Sequence, residues 1–186
     1  ANLSVSQLKC NGLENPLGTD RIPEFSWINN SSERGEVQTA CQIIVSSSAK
    51  VIRKNSGDIW DSGKKVSGSS IWIPYQGPEL SPGKEYFWKV RVWDGNDESS
   101  PWSTTGKFVT GLFDKKWWSG ARWIGYEDIP DSLLLVPGVH GNGNNLGEIA
   151  KKRMVVPYFR KGFSLEKKIK QAFIFVSGLG QYELHL

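Results

Sequence analysis

The sequence predicts an all-β protein whose first part is a seven-stranded β-sandwich written around one central strand, and three observations carry that prediction. From Tyr86 to Trp93 the residues alternate: Tyr86, Trp88, Val90 and Val92 on one face, Phe87, Lys89, Arg91 and Trp93 on the other. A period of two in aromatic and β-branched residues describes a strand with one face in a core. The turn Leu80-Ser81-Pro82-Gly83 precedes it, so Tyr86 is placed to send its hydroxyl back to the turn backbone, as in the tyrosine corner of Greek-key sandwiches. Finally, seven short strand patterns separated by turns fall within the first 111 residues, about the number and size that a seven-stranded sandwich needs.

Taken in order, Leu3 to Lys9 is a short alternating strand, and Gly12 to Pro23 is a loop broken by Asn15-Pro16 and Leu17-Gly18. Phe25 to Ile28 resumes strand and ends in the turn-rich stretch Asn29 to Gly35. Val37 to Ser46 follows, with Thr39, Cys41, Ile43 and Val45 on the inward face. Ile59 to Gly63 is a brief edge strand; Ser70 to Tyr75 puts Ile71 and Ile73 on one face. After the Tyr86 strand, Asp94-Gly95-Asn96-Asp97 turns the chain toward a strand that begins near Trp102 and runs through Lys107 to Gly111. No segment reads as a helix. Tyr86, Trp88, Val90, Val92, Trp27, Cys41, Ile43 and Ile73 are expected to share one core between two antiparallel sheets.

Beyond Gly111 the pattern changes. Residues 112–125 read as a connector that ends in a strand at Ala121 to Ile124 and opens the next module. Residues 126–186 read as an incomplete second sandwich. Glu127 to Lys152 forms a long glycine-rich loop, strand signal returns at Val155 to Phe163 and Ala172 to Ser177, and the pattern is still running at Leu186. Ala172 to Ser177 is apolar on both faces and needs cover on both sides.

The 186 residues carry a net charge of +4, spread over short pairs such as Lys64-Lys65 and Lys115-Lys116, so no basic stripe for nucleic acid is expected. No apolar run approaches the ~18 residues of a membrane span. No charged and apolar leader stands before Ala1, so a signal peptide is expected to be already removed or absent. Cys10 and Cys41 offer neither a disulfide framework nor a metal spacing.

No active site emerges from the residues, and the expected lists of catalytic, cofactor-binding and metal-binding positions are empty. Gly141 to Gly147 (GNGNNLG) has its third glycine one position late for a dinucleotide fingerprint, and no helix follows it. His140 and His185 are isolated from one another. Asp94, Asp97 and Glu98 cluster, but on one hairpin turn. Glycosidic cleavage needs two carboxyls across a cleft, with environments that split their acidities. Nine Trp are the compositional outlier: an indole face is a natural platform for the C–H face of a pyranose, and it is also a large core group.

Several motifs, in order along the chain, resemble the N-terminal region of bacterial α-L-rhamnosidases of glycoside hydrolase family 78 type. They are Asn15 to Gly18 with Phe25-Ser26-Trp27, Gln38-Thr39-Ala40, Gly57 to Gly63, Tyr86 to Asp94, Ser100 to Ser103, Trp123-Ile124-Gly125, Arg160 to Phe163 and Ala172 to Leu184. The resemblance implies a fibronectin-III-like (Ig-like) sandwich, then a jelly-roll-like sandwich similar to carbohydrate-binding modules. It further implies a downstream (α/α)₆ barrel that carries the catalytic carboxylates and inverts the anomeric centre. The barrel has no counterpart in these residues, so no catalytic position is carried over. The implied role is that of a non-catalytic accessory region in a secreted or periplasmic enzyme that removes terminal α-L-rhamnose from plant glycans or glycosides. It would support the barrel, with sugar contact as a second role. Two other classes compete: an adhesion or receptor-type ectodomain, because Trp102-Ser103 beside the Arg91 strand is similar to a stacked Trp/Arg ladder, and an isolated sugar-binding module.

Overall fold

The strand that the alternation marks, β8 (Glu85–Trp93), runs through the middle of the larger of two sheets, with Tyr86, Trp88, Val90 and Val92 all buried on its inner face. The computed structural model describes residues 3–125, 158–164, 166, 168–169 and 171–185. The other strands are β1 (Leu3–Cys10), β2 (Leu17–Thr19), β3 (Glu24–Ser31), β4 (Ala40–Ser46), β5 (Trp60–Asp61), β6 (Lys65–Val66), β7 (Ile73–Pro74) and β9 (Gly106–Thr110). One sheet has the order β1-β3-β7; the other has the order β2-β9-β8-β4-β5, with β6 also paired to β4. All pairs are antiparallel except β2 with β9.

The core lies between these sheets and contains the expected set: Trp27, Cys41, Ile43, Tyr86, Trp88, Val90 and Val92 are buried, and Ile73 packs against them partly buried. At its centre the Phe25 ring lies 4.5 Å from Trp88 and 6.0 Å from Phe108, and Phe108 stacks on Tyr86 at 5.5 Å. The tyrosine corner forms as expected: the Tyr86 hydroxyl accepts the Ser81 N–H at 2.9 Å. The buried Trp27 indole N–H donates to Asn29 Oδ1 and Gln38 Oε1, while Gln38 Nε2 donates to the carbonyls of Ser67 and Ser69. This ties β3 to the segment leading into β7 and leaves no buried polar group of that junction unpaired. Cys41 shares the inner face of β4, as read from the alternation. Burial pushes its thiol up and that of Cys10 up to about 12, so both behave as small hydrophobes.

Several local expectations change. β4 is buried on both faces, because the helix α1 (Ala49–Ile52) contacts β4 and β8, and β5 and β6 pair along the edge of β4. Ile44, on the outer face, and Ile52 of α1 are both fully buried. The expectation of no helix is therefore corrected: Ser48 caps α1, and a 3-10 helix spans Lys115–Trp118. Both are a single turn, too short to show a helical period. The loop read over Gly12 to Pro23 contains β2, a three-residue strand whose Leu17 and Gly18 are exposed, so no alternation announces it. The last strand starts at Gly106 rather than near Trp102. Pro101 has no N–H to offer a ladder, and Ser100 and Ser103 bond to β8 by donating their own N–H groups and accepting with their hydroxyls, where a strand would accept with its carbonyls. Ile71 and Ile73 do not share a face; Ile71 is exposed, because Trp72 has φ +54° and the left-handed residue breaks the alternation.

By its contacts the chain divides into two units, residues 1–119 with 173–186, and residues 120–172. The described residues of the second unit carry no helix or strand. The strands expected at Ala121 to Ile124 and Ala172 to Ser177 are not formed, nor is the described part, 158–163, of the one expected at Val155 to Phe163. An apolar pattern becomes a strand only where a neighbour completes its hydrogen-bond ladder, and Trp123, Ile124 and Phe163 stand exposed. The loop at Glu127 to Lys152, His140 and the Gly141 to Gly147 motif lie outside the described residues.

Candidate functional site

The outer face of β8 carries the cations that the alternation places among aromatics. Arg91 lies over two rings, Trp93 at 4.9 Å and Trp102 at 4.8 Å, and Lys64 lies over Trp93 at 5.0 Å. Each contact is worth ~0.5–1 kcal/mol at an exposed site and more where water is excluded. Arg91 Nε also donates to Gln42 Oε1 at 2.9 Å, and Gln42 Nε2 donates to Asp61 Oδ1 at 2.6 Å. The register Gln42↔Arg91 across β4 and β8 makes this possible.

The sequence around Trp102 explains how that ring is delivered. Ser100 N–H donates to the Val92 carbonyl and Ser103 N–H to the Val90 carbonyl; in return, the Ser100 and Ser103 hydroxyls accept the N–H groups of Val92 and Val90 at 3.1 Å. The segment thus runs beside β8 without being a strand, and Trp102 swings over Arg91. Every ring of this ladder is engaged by a cation, and Trp93 is only 8% exposed. The ladder is a clasp for the sheet surface and offers little free ring to a ligand.

Asp94, Asp97 and Glu98 sit together where the sequence puts them, on the turn after β8. Asp94 is buried, and its Oδ1 accepts the N–H groups of Asn96 and Glu98 at 2.9 Å. The Glu98 N–H, foremost, and the Asn96 N–H hold its carboxyl below the ordinary range, although burial opposes them. Asp97 pairs with Lys64. A general acid needs a carboxyl that keeps its proton near neutral pH. Asp94 moves the opposite way.

Sequence reasoning did not anticipate that Asp58, Glu79 and Glu85 line one open depression of about 500 Å³ with Ser47 and Lys84. Glu79 and Glu85 flank the turn Leu80 to Gly83, and only the fold brings Asp58 to them. Each is engaged: Asp58 accepts from the Ser47 N–H and hydroxyl, Glu79 pairs with Arg21 at 3.1 Å, and Glu85 pairs with Lys107 at 3.2 Å. Burial tends to raise the Asp58 pKa, but the Ser47 hydrogen bonds prevail and its carboxyl also ends below the usual value. A second depression, of about 540 Å³, lies beside Arg21, whose guanidinium also meets Asp114 at 2.7 Å and lies over Phe113 at 5.1 Å. No group of three or more His, Cys, Asp or Glu among the described residues is arranged to hold a metal ion. His185 is exposed, 3.2 Å from Glu183.

Trp72 differs from the ladder tryptophans. It is 52% exposed and has φ +54°, a conformation that costs a residue with a side chain ~1–3 kcal/mol. Four of the seven non-glycine residues with positive φ among the described residues are Asn or Asp, which tolerate it; Trp is not such a type. Its N–H donates to Ser26 Oγ at 2.9 Å, and its ring reaches Gly12, where even a methyl group would come within 3.3 Å of the indole. Nothing in the sequence except its aromatic character marked this residue.

Comparison with known proteins places this architecture. Residues 5–114 match the family described as the Rha78A-like, N-terminal immunoglobulin domain. The whole chain is 31% identical to an α-L-rhamnosidase of Formosa agariphila, and 75% of it is 40% identical to one of Streptomyces avermitilis. It spans only 20% and 13% of those two relatives' lengths. Among solved structures, the α-L-rhamnosidase from Dictyoglumus thermophilum is 49% identical over 62% of this chain with a TM-score of 0.60, covering 13% of that protein. The Streptomyces avermitilis α-L-rhamnosidase complexed with L-rhamnose is 42% identical over 63% of this chain, again with a TM-score of 0.60, and 11% of it is covered. A sandwich built around β8, closed by a tyrosine corner and matched over most of its length, belongs to the family of Rha78A-like N-terminal immunoglobulin domains.

Proposed function

We propose that this chain is the non-catalytic N-terminal accessory region of an α-L-rhamnosidase that removes terminal α-L-rhamnose from plant glycans or glycosides. In this reading the immunoglobulin-like domain supports a catalytic barrel elsewhere in the same polypeptide. The observation that carries it is the family match over residues 5–114, in relatives of which this chain spans a fifth or less. The chemistry agrees. Inverting hydrolysis needs a proton donor and a base-activated water on opposite sides of the sugar, and the carboxylates on these surfaces are engaged with Ser47, Lys64, Arg21, Lys107 and backbone N–H groups. The expected partners are thus rhamnosides, met through the whole enzyme, and the catalytic barrel. A secreted or periplasmic setting goes with polymeric substrates that cannot enter a cell, and an export signal at the start of the complete reading frame is its test.

The purified 186-residue chain is expected to hydrolyse no aryl α-L-rhamnoside above the buffer rate, while the complete gene product does. Turnover by the 186-residue chain that a single Asp or Glu substitution abolishes would show that a site is present here after all.

The same proposal divides the chain into a sandwich over 1–111, a connector over 112–125 and part of a carbohydrate-binding-module-like sandwich over 126–186. Its support is that the family match ends at residue 114. A span of 1–114 expressed alone should melt cooperatively, since its core is closed within it and ~100 residues bury enough surface to fold. A broad, non-cooperative melt of that span would count against the division.

A further inference from the structure

We infer that Trp72 is a stacking platform for a pyranose ring, of the 6-deoxyhexose class, on the outer face of the three-stranded sheet. The inference rests on the rhamnosidase reading for the choice of sugar and on geometry for the site. The inward burial of Phe25 and Trp27 puts Glu24, Ser26 and Ile28 on the outer face of β3, and the register Lys9↔Ser26 adds Lys9 from β1. Trp72 follows from the β3–β7 register, one residue beyond the Phe25↔Ile73 pair and hydrogen-bonded to Ser26.

From there the indole extends to Gly12, past the end of β1, and is held at both ends: its backbone by the Ser26 hydroxyl, its ring edge by a glycine that leaves room for it. About half its surface remains open. A residue that accepts a strained backbone and still leaves its ring in water gains little from burial, so its placement points to something that binds the ring. It also contrasts with Trp93 and Trp102, whose rings are already engaged by Arg91.

The chemistry around the ring suits a sugar. The C–H face of a pyranose stacks on an indole, while its hydroxyls seek donors and acceptors at the rim, here the Lys9 ammonium, the Glu24 carboxylate and the Ser26 hydroxyl. A 6-deoxyhexose also presents a methyl group. Leu13 beside Gly12 and Ile71 beside Trp72, both exposed, offer it apolar contact.

The test follows the indole N–H signals of the ¹⁵N-labelled 186-residue chain by NMR during titration with methyl α-L-rhamnopyranoside and, separately, methyl β-D-glucopyranoside. The expected result is a saturable shift of the Trp72 signal with the rhamnoside. The backbone N–H signals of the neighbouring Gly12 and Ser26, recorded in the same spectra, should shift with it, lose that response in Trp72→Ala and keep it in Trp72→Tyr, with the Trp88 indole signal unmoved in every sample as a check on the fold. If the Trp72 signal moves with neither sugar, or if the neighbouring signals still respond in Trp72→Ala, the platform is overturned, whatever the complete enzyme does to rhamnosides. If the glucoside alone binds, the platform stands as a sugar site, but the assignment to 6-deoxyhexoses is overturned together with the support it takes from the rhamnosidase reading.

Discussion

Trp88→Ala is expected to cost ~3–5 kcal/mol of stability, the range for deleting a large buried aromatic. Trp88 is 1% exposed, stands opposite Gly106 across β8 and β9, and meets the Phe25 ring at 4.5 Å. Truncation would leave Phe25 facing a void in the layer that joins the two sheets. Neither Phe25 nor Phe108 can follow it far, because each is fixed in its own strand and packed on the other at 6.0 Å. A small domain commonly has only ~5–15 kcal/mol in total, so the loss is a large share of the whole. Urea unfolding followed by far-ultraviolet circular dichroism should show the midpoint fall with little change in slope, and the melting temperature should drop by more than ~10 °C. A melt indistinguishable from the parent would show that the two sheets do not depend on this ring.

How much of this could be read from the residues depends on how local the cause is. The alternation in β8 comes from one strand with one wet and one dry face, so Tyr86, Trp88, Val90 and Val92 declare themselves, and the tyrosine corner follows from a turn five residues away. The same rule placed Cys41 and Ile43 inward. It could not show that Ile44 is buried too, because α1, which covers that side, comes from a single turn with one buried residue. β2 was invisible for a related reason: three residues paired in parallel to β9, far along the chain, have no pattern of their own. The meeting of Asp58 with Glu79 and Glu85 and the left-handed Trp72 are likewise products of the tertiary structure. By contrast, the Trp-Ser signal at Trp102-Ser103 pointed to a real ladder. Hydrogen bonding from Ser100 and Ser103 to β8 shows it to be a device for closing a sheet surface, which does not require a receptor.

Gly106→Ala is expected to destabilise by ~1–3 kcal/mol, the usual cost of forcing extra volume into a packed core. A methyl group built on Gly106 would lie 2.5 Å from Trp88 Nε1, 2.9 Å from Cε2 and 3.1 Å from Cδ1. All three atoms belong to the five-membered part of the indole, so the clash is with one edge of one ring. β9 cannot retreat easily: the flanking Phe108 is fully buried, and Lys107 N–H is held by Asn15 Oδ1 at 3.0 Å. Replacing Trp88 with Phe removes that ring edge. The two substitutions should therefore compensate: Gly106→Ala should cost less in the Trp88→Phe background than in the parent, by ~0.5–3 kcal/mol, the range for residues in direct contact. The double-mutant cycle, measured by urea unfolding of the four proteins, separates this from a backbone effect. A glycine needed only for its conformational freedom would give costs that add within ~0.3–0.5 kcal/mol. Additivity of that kind would show that the pairing of a large indole with a bare backbone across β8 and β9 is not what fixes these two residues.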